Sequence, residues 1–326
     1  MIILCMSHPP TARPTPQGAA LLSDWGVIRA LGDDARSFLQ GQLTQDVLGL
    51  DTGNARLAGY CSAKGRLLAS FITWRPAPDE VLLACSADLL APTLKRLSMF
   101  VLRAKCKLSD ASTNVALWGL AGDAATAWLG ASAPVNTWAR RDIGGATVIR
   151  LPDAELPSAV GGGRVARYLL AAPDGTPPPA LPELELDTWR WLEVHSGVAR
   201  IVAATSEQFV PQMVNLELVG GVNFQKGCYP GQEVVARSQY RGTLKRRAFV
   251  AAADAPLAAG AEVIHSEDPA QPAGRVALTG SAFGHHAALL ELKLAAAETG
   301  SLHFGSADGP VLRLGTLPYT IPADAP

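Results

Sequence analysis

Apolar and polar residues follow one another in short runs over the first third of the chain, a pattern typical of strands separated by brief helices. Apolar runs predict strands over residues 21–31, 55–61, 67–74, 81–85, 105–110 and 115–120. A helical spacing of apolar residues predicts helices over residues 33–40 and 87–100. The turn at residues 62–66 joins two of these strands as a hairpin. This order of elements indicates an α+β fold.

The middle of the chain gives a weaker pattern, because alanine, glycine and proline dominate residues 121–175. One strand is predicted over residues 164–170, and three consecutive prolines at 177–179 predict a stiff linker. Residues 186–197 then predict a helix that carries Trp189, Trp191 and His195.

The pattern changes near residue 243, after which short β runs recur between glycine-, alanine- and proline-rich turns. Runs over residues 248–253, 262–265, 275–279, 287–294 and 311–314 predict a small all-β barrel or sandwich. We therefore expect a domain boundary near Gly242, with an α+β region over residues 19–242 and an all-β domain over residues 243–326. The Pro- and Thr-rich residues 1–18 are expected to form a disordered leader.

Composition narrows the classes of protein to which this chain can belong. Its 326 residues are 48% hydrophobic and 17% charged, which is enough for a sizeable core in about two domains. A net charge of −1 provides no global attraction to nucleic acid or an anionic membrane, so any basic surface must be local. No apolar run approaches the roughly 20 residues that span a bilayer, so we expect a soluble, cytoplasmic protein without a membrane partner.

Cysteine and histidine usage argues against a resident metal centre. Five cysteines occur, at positions 5, 61, 85, 106 and 228, without any Cys-x-x-Cys pair. Their odd number and wide spacing argue against a disulfide scaffold or a self-contained zinc or iron–sulfur site, and favour a reducing cytosol. His285, His286 and His303 have no Cys or Asp at ligand spacing, so no metal site is expected there.

The most unusual chemistry lies in the octapeptide Lys226-Gly-Cys-Tyr-Pro-Gly-Gln-Glu233. Gly231 and the residues after it predict the first turn of a helix, which places Cys228 just before a helix N-terminus and beside Lys226. The helix dipole and the ammonium group both favour a thiolate. A buried, structural cysteine in a Gly/Pro-rich turn is an equally good interpretation of these residues alone.

This octapeptide resembles the signature of the YgfZ proteins, folate-binding relatives of the glycine-cleavage T-protein, which is an aminomethyltransferase. The resemblance extends over roughly residues 21–247 through further motifs in the family's order. These are Phe38-Leu-Gln-Gly-Gln-Leu-Thr-Gln-Asp-Val47, Lys64-Gly-Arg66, Phe209-Val-Pro-Gln212, Asn215-Leu216, Gly220-Gly-Val222, Phe224 and Arg241-Gly242. The last eighty or so residues fit the family's C-terminal β-barrel by their general pattern alone.

The resemblance implies the T-protein type of α+β fold, in which subdomains surround a cleft for tetrahydrofolate or a derivative and a β-barrel closes it. It implies a folate-binding accessory protein for iron–sulfur cluster assembly or repair, which supports enzymes such as those that thiolate tRNA. The family's folate-contacting tryptophans match Trp25 and Trp189. The predicted folate-binding residues are Trp25, Trp189, His195, Lys226, Tyr229, Gln232, Glu233 and Arg237.

The same resemblance implies that Cys228 is the working thiol. One thiolate cannot hold a cluster that normally takes four ligands, so Cys228 is expected to act with partners. These partners would be iron–sulfur assembly factors or the iron–sulfur enzymes that they serve. Such a role is more that of a helper protein than of a classical enzyme.

One departure from the family concerns the pterin ring of folate. Relatives of T-protein often carry, at the position of His195, a Glu that can hydrogen-bond the pterin. A neutral imidazole cannot make the bidentate contact of a carboxylate, so Glu193 or Glu217 could make it instead. His195 could equally be a buried histidine whose hydrogen bonds are satisfied within the protein.

Two further functions stay open. The alternative is a folate-dependent, aminomethyltransferase-like one-carbon enzyme, which needs a carboxylate near the folate nitrogens. Asp46, Asp88 and Asp110 are available, but none has the sequence context of the T-protein catalytic Asp.

A third and weaker hypothesis is direct contact with tRNA through a group of basic residues, which could also hold folate carboxylates. The basic residues are Lys226, Arg237, Arg241, Lys245, Arg246 and Arg247, and the one acidic residue among them is Glu233. A solvated helix end and strand edge is the simpler interpretation of residues 245–247.

Overall fold

A computed structural model of the chain describes residues 15–240 and 244–322. The strands of its α+β region are β1 (Gly18–Leu21), β2 (Trp25–Leu31), β3 (Ala55–Cys61), β4 (Leu67–Ala77), β5 (Glu80–Ser86), β6 (Lys107–Asp110), β7 (Val115–Ala121), β8 (Arg140–Ile143), β9 (Ala146–Glu155) and β10 (Arg164–Pro173). Its helices are α1 (Ala35–Gln40), α2 (Ala87–Ser98), α3 (Gly122–Leu129), α4 (Leu186–His195) and α5 (Gln232–Tyr240).

These strands form two antiparallel sheets of five strands each. The first sheet has the order β1-β7-β10-β9-β8, and the second has the order β3-β4-β5-β2-β6. A large hydrophobic core includes side chains from both sheets and from α1, α2 and α4. A smaller cluster packs α3 against the first sheet. The predicted α+β organisation is confirmed.

The C-terminal strands close into a barrel. They are β11 (Arg246–Ala253), β12 (Glu262–His265), β13 (Asp268–Ala282), β14 (His285–Lys293), β15 (Leu302–Phe304) and β16 (Val311–Leu314). Their order around the barrel is β11-β14-β13-β12-β15-β16. The sequence therefore predicted the all-β character correctly, and the barrel rather than the sandwich is the form it takes. β15 was missed because three residues are too few for a recognisable alternation.

The barrel packs closely against α4. A Cβ placed on Gly280 of β13 would lie 2.2 Å from the backbone nitrogen of Trp191. Only glycine permits such close contact between a strand and a helix backbone. Near the described C-terminus, the Tyr319 hydroxyl donates a hydrogen bond of 2.7 Å to the carbonyl of Gly197, just after α4. The barrel thus packs on α4, and the segment after the barrel contacts the end of this helix.

One expectation needs correction, and one segment holds more elements than the sequence predicted. The single strand predicted over residues 21–31 is wrong, because a hydrogen-bonded turn breaks it, with the Trp25 N–H donating to the Leu22 carbonyl at 3.1 Å. β1 pairs with β7 in the first sheet, whereas β2 pairs with β5 and β6 in the second. The weakly patterned residues 121–175 contain α3, β8 and β9 as well as the predicted strand.

Parts of two further predictions fall on residues that the structure does not describe. Residues 1–14 of the predicted leader and Gly242 at the predicted boundary lie outside the described ranges, and β1 begins at Gly18. In residues 15–240 and 244–322, no helix is both long and apolar enough to cross a membrane.

Candidate functional site

A cleft with about 410 Å³ of space, part of it open to solvent, lies among residues of both sheets and of α4. β2, β3 and β4 of the second sheet contribute one part of the lining, and β9 and β10 of the first sheet contribute another. Glu193 of α4 and the segment after this helix complete it. The cleft therefore forms where the two sheets and α4 meet.

Two tryptophans line the cleft, Trp25 and Trp138. Trp25 was predicted, and it begins β2 directly after the turn that separates the two sheets. Trp138 was not predicted. Its backbone lies in the left-handed region with φ of 67°, and it is held between β3 and β9 by hydrogen bonds of 2.7 Å to Ala55 and Arg150. The sequence feature that could have indicated Trp138 is a tryptophan in a polar segment, directly after Asn136 and Thr137.

Charged side chains are buried at the same place. Arg200 donates from Nη2 to Glu193 Oε2 at 3.1 Å and to Asp24 Oδ2 at 2.8 Å. Its guanidinium also lies 4.9 Å from the centre of the Trp25 ring. Burial raises the pKa of Glu193 above its usual value, although Arg200 and Arg167 oppose this shift. Glu193 is thus a carboxylate in the cleft lining, held in place by an arginine.

A second buried arginine, Arg167, lines the cleft from β10. Burial lowers its pKa to about 10, although Glu193 and Asp153 oppose the shift. Its guanidinium lies 4.6 Å from the centre of the Trp189 ring. Trp189 is 1% exposed, packs over Gly119, and stands behind Arg167 rather than in the lining of the cleft. The structure therefore gives Trp189 an indirect contact with the cleft, through Arg167.

The sequence context of the two buried arginines could have indicated them as site residues. Arg167 interrupts an apolar strand and Arg200 follows the apolar pair Val198 and Ala199. Charged residues are seldom fully buried unless they are paired or functional, so a charge within an apolar run marks a candidate site. Neither arginine was among the predicted site residues, since both lie outside the motifs that carry the family resemblance.

His195, the residue at the family's Glu position, is buried at the end of α4. Its ring centroid lies 4.1 Å from that of Trp191, and it is not in the lining of the cleft. Burial lowers the pKa of His195 to about 4, which a backbone contact with Glu155 partly opposes. Glu193, two residues earlier, faces the cleft, whereas Glu217 is paired with Arg247 elsewhere.

The octapeptide forms a separate exposed feature. Cys228 is exposed, so the interpretation of a buried structural cysteine is wrong. It precedes α5, which begins at Gln232, as the sequence predicted. Lys226 Nζ donates to the carbonyls of Gln40 and, at 2.6 Å, Leu43. Burial lowers the pKa of Lys226 to about 8, although Asp46 and Cys228 oppose this. The ammonium group of Lys226 thus ties the octapeptide to the C-terminal end of α1, near the exposed thiol.

The remaining predicted residues of this segment lie in or beside α5. Tyr229 is buried, with Lys226 Nζ 5.1 Å from its ring centre. Gln232 is half-buried at the start of the helix, and Glu233 and Arg237 are exposed. None of these residues, nor Cys228, lines the cleft. The predicted folate residues therefore fall into two places, the cleft and the octapeptide.

Glycines dock the octapeptide on the β3–β4 hairpin. A Cβ on Gly231, whose φ is 79°, would lie 2.4 Å from the carbonyl oxygen of Ser62 and 2.6 Å from Gly65. Nearby, Thr44 Oγ1 donates to the carbonyl of Gly221 at 2.6 Å. The motifs quoted for the family resemblance thus lie against one another in space.

The basic run predicted as one cluster separates into different environments. Arg247 is 1% exposed and paired with Glu217, and Arg246 donates to Glu291 at 2.7 Å. Lys245 is exposed, and Arg241 lies outside the described residues. The run therefore does not form a single basic surface among the residues that the structure describes.

The aspartates considered for one-carbon chemistry have other roles. Asp46 is paired with Arg56 at 3.4 Å, Asp88 accepts from the Ala203 N–H at 2.9 Å, and Asp110 accepts from Ser112. None of them lines the cleft. Over the described ranges, no three His, Cys, Asp or Glu side chains are grouped so that they could hold a metal ion.

The cleft has the donors, acceptor and aromatic surfaces that suit a pterin. Trp25 Nε1 and Arg167 Nε are buried and have no hydrogen-bond partner within the described residues. Buried donors normally bond to something, so they suit a ligand that presents acceptors. Glu193 could accept from the ligand's N–H groups, and the indoles of Trp25 and Trp138 could contact a flat ring. The residues present therefore fit a folate's pterin.

Known proteins resemble this chain in sequence and in fold. It is 34% identical over 259 residues to the tRNA-modifying protein YgfZ of Edwardsiella ictaluri, a match that covers 74% of this chain and 72% of that protein. The tRNA-modifying protein YgfZ of Photobacterium profundum is 33% identical over 236 residues, or 72% of this chain and 69% of that protein. No protein-family model matches the sequence.

Among solved structures, the glycine cleavage system aminomethyltransferase T from Bartonella henselae matches with a TM-score of 0.69 at 17% identity. The match covers 94% of this chain and 87% of that chain. It confirms the predicted T-protein-like fold.

Proposed function

Because the chain belongs to the YgfZ family, we propose that it binds a reduced folate and supports tRNA modification by helping iron–sulfur enzymes. The protein would act as an accessory factor in the cytoplasm, where a reducing environment suits its free cysteines. Its partners would be iron–sulfur assembly factors or the iron–sulfur enzymes themselves.

The observation that carries the folate part of this proposal is the composition of the cleft. Trp25 and Trp138 offer aromatic surface, Glu193 offers a carboxylate, and Arg167 offers an unpaired buried N–H. A bound folate would carry a one-carbon unit or act as a structural cofactor. The protein's own residues would orient the pterin and exclude water from it.

An accessory role is favoured over that of a one-carbon transferase. Glu193 is the carboxylate in the cleft lining, and Arg200 holds it by an ion pair. A carboxylate held in this way is suited to accepting hydrogen bonds from a ligand's donors. The aspartates considered for catalysis make other contacts outside the cleft.

Isothermal titration calorimetry with tetrahydrofolate under anaerobic conditions tests the folate proposal. Glu193→Gln should weaken binding about tenfold, since it removes a hydrogen bond to a charged group. Asp187→Asn changes an exposed acid on the same helix and should bind as the wild type does. Absence of tetrahydrofolate binding to the wild-type protein, or equal affinity of the two variants, would contradict the proposal.

Cys228 is proposed as the working thiol because it is exposed and its loop is anchored by glycine and lysine contacts. Its thiolate would supply one ligand to an iron atom that a partner protein holds. In a null strain, Cys228→Ala should fail to restore tRNA thiolation, whereas Cys106→Ala, at a half-buried cysteine, should restore it. Full restoration by Cys228→Ala, at the same protein level, would remove this role.

A further inference from the structure

A second hollow lies at the seam between the α+β region and the barrel. Its volume is about 600 Å³, part of which is open to solvent. It shares no lining residue with the tryptophan-lined cleft. Arg66, which directly precedes β4, lines it from one side. Arg246, Arg275 and Glu291 line it from the barrel strands. The two parts of the molecule thus contribute charged side chains to one space.

Positive charge exceeds negative charge in this hollow, with three arginines against one glutamate. The Glu291 side chain is 4% exposed, and Arg246 Nη1 donates to both of its oxygens, at 2.7 and 2.9 Å. Burial raises the pKa of Glu291, and the charges of Arg246, Arg275 and Arg66 oppose that shift. All three guanidinium groups are therefore close enough to act on a single carboxylate, which neutralises only one of them.

The arginines are fixed by the protein but retain donor groups. Arg66 Nη1 donates to the carbonyl of Gln208 at 2.5 Å, and Arg275 Nη1 donates to the carbonyl of Gly260 at 2.6 Å. Arg275 Nη2 also lies 3.5 Å from Glu262. Each guanidinium has five N–H donors, so these contacts use a minority of them. Half-buried arginines held in this way lose little further freedom when an anion binds.

We propose that this hollow is a binding site for a phosphate group. Positive charge stays in excess even when Glu262, the partner of Arg275, is counted with Glu291, so the hollow suits an anion. Arginine forks suit the several oxygens of phosphate better than those of a single carboxylate. The phosphate could belong to a small nucleotide or to an RNA backbone. The site stands independently of folate binding in the cleft, since the two have no lining residue in common.

Equilibrium binding with three probes tests the proposal: inorganic phosphate, adenosine monophosphate and a short single-stranded RNA. Arg66→Gln and Arg275→Gln should each weaken phosphate binding about tenfold, because each removes charge-assisted hydrogen bonds. Arg164→Gln is the matched control, since Arg164 is an exposed arginine paired with Glu155. It should bind each probe as the wild type does.

Glu291→Gln should change the affinity for phosphate in the opposite direction to the arginine variants. It removes the negative charge that the phosphate would face, so phosphate should bind several-fold more tightly. A thermal melt of each variant confirms that it is folded. RNA that displaces phosphate would identify a backbone site, and displacement by the mononucleotide alone would identify a small-ligand site. If no probe binds, or if the arginine variants bind as tightly as the control, the proposal is overturned.

Discussion

At the scale of single residues, Arg200 joins the charged groups of the cleft. Its side chain is 6% exposed and contacts Glu193, Asp24 and the Trp25 ring. Arg200→Met would leave Glu193 buried without its ion-pair partner, so we expect it to lower the free energy of unfolding by about 3–5 kcal/mol. Arg190→Met removes a more exposed partner of Asp24, with a side chain 34% exposed, and should cost about 1 kcal/mol or less.

Urea unfolding of the two arginine variants beside the wild type measures both costs. Circular dichroism at 25 °C provides the transition curves, and the denaturant slopes show whether the unfolding transition has changed. An equal loss of unfolding free energy in Arg200→Met and Arg190→Met would show that the buried Glu193 does not depend on its ion pair with Arg200.

His195 predicts a specific pH dependence of stability. Its folded-state pKa is about 4 and its ordinary value is 6.5, so the unfolded chain binds more protons between these pH values. This contribution is therefore complete above pH 6.5, falls as the pH drops toward 4, and levels off below. At pH 5 the loss should be about 2 kcal/mol.

Other groups also titrate in this range, so the variant His195→Gln provides the comparison. The difference in unfolding free energy between wild type and variant, measured in urea at pH 7.5 and pH 5, should change by about 2 kcal/mol in the variant's favour. A difference that stays constant between these two pH values would show that His195 is not held neutral by burial.

The residues of the site were predictable to different degrees. Trp25 and Cys228 belong to recognisable motifs, and the structure places the first in the cleft and exposes the second. Trp138 reaches the cleft through its backbone hydrogen bond with Ala55, and Arg167 reaches it where the two sheets and α4 meet. Both depend on contacts between distant segments, which local patterns do not contain. Trp189 shows the converse, since its helix was predicted but its position behind Arg167 depends on tertiary packing.

At the scale of elements, the octapeptide loop depends on one glycine. Gly231 has a φ of 79°, and a Cβ there would lie 2.4 Å from the Ser62 carbonyl oxygen, whereas a Cβ on Gly227 meets no atom within 4 Å. Gly231→Ala should therefore lower the free energy of unfolding by about 1–3 kcal/mol and weaken the docking of the loop on the β3–β4 hairpin. Gly227→Ala in the same loop should have little effect.

Hydrogen–deuterium exchange resolves the local effect. In Gly231→Ala, amides of the hairpin turn and of the first turn of α5 should exchange faster, while those of the barrel keep their wild-type rates. Unchanged exchange at the hairpin, or the same increase in Gly227→Ala, would contradict the docking described for Gly231.

Element prediction succeeded where alternation or helical spacing was long enough. β3 and α5 begin close to where the sequence indicated, and five of the six barrel strands overlap predicted β runs. It failed where a hydrogen-bonded turn joins two apolar runs, as between β1 and β2, and where small residues hide the pattern, as in α3. Alanine and glycine are compatible with core and surface alike, so such segments carry little periodic signal.

At the scale of the whole molecule, the barrel holds α4 through a backbone contact at Gly280. A Cβ there would lie 2.2 Å from the Trp191 nitrogen, so Gly280→Val should force β13 and α4 apart. We expect a loss of about 2–4 kcal/mol in unfolding free energy and weaker folate binding, since α4 carries Glu193. At Gly315, a Cβ would meet its nearest atom at 3.8 Å, and Gly315→Ala should be neutral. Wild-type stability of Gly280→Val would contradict this contact.

The family resemblance predicted the whole-molecule fold more completely than the residue patterns did. Patterns alone indicated an α+β region followed by a β domain, whereas pairing of the strands into two sheets requires contacts between distant segments. The structure supplies these contacts, and with them the position of the cleft between the sheets and α4.

Intrinsic tryptophan fluorescence during an anaerobic titration with tetrahydrofolate tests the proposed folate cleft most directly. We predict saturable quenching in the wild type, and affinities about threefold to tenfold weaker in Trp25→Phe and Trp138→Phe, which lose part of the aromatic contact. Trp189→Phe should keep the wild-type affinity, because phenylalanine can still support Arg167. Absence of saturable quenching, or an affinity lost in Trp189→Phe but retained in Trp25→Phe and Trp138→Phe, would contradict the proposal.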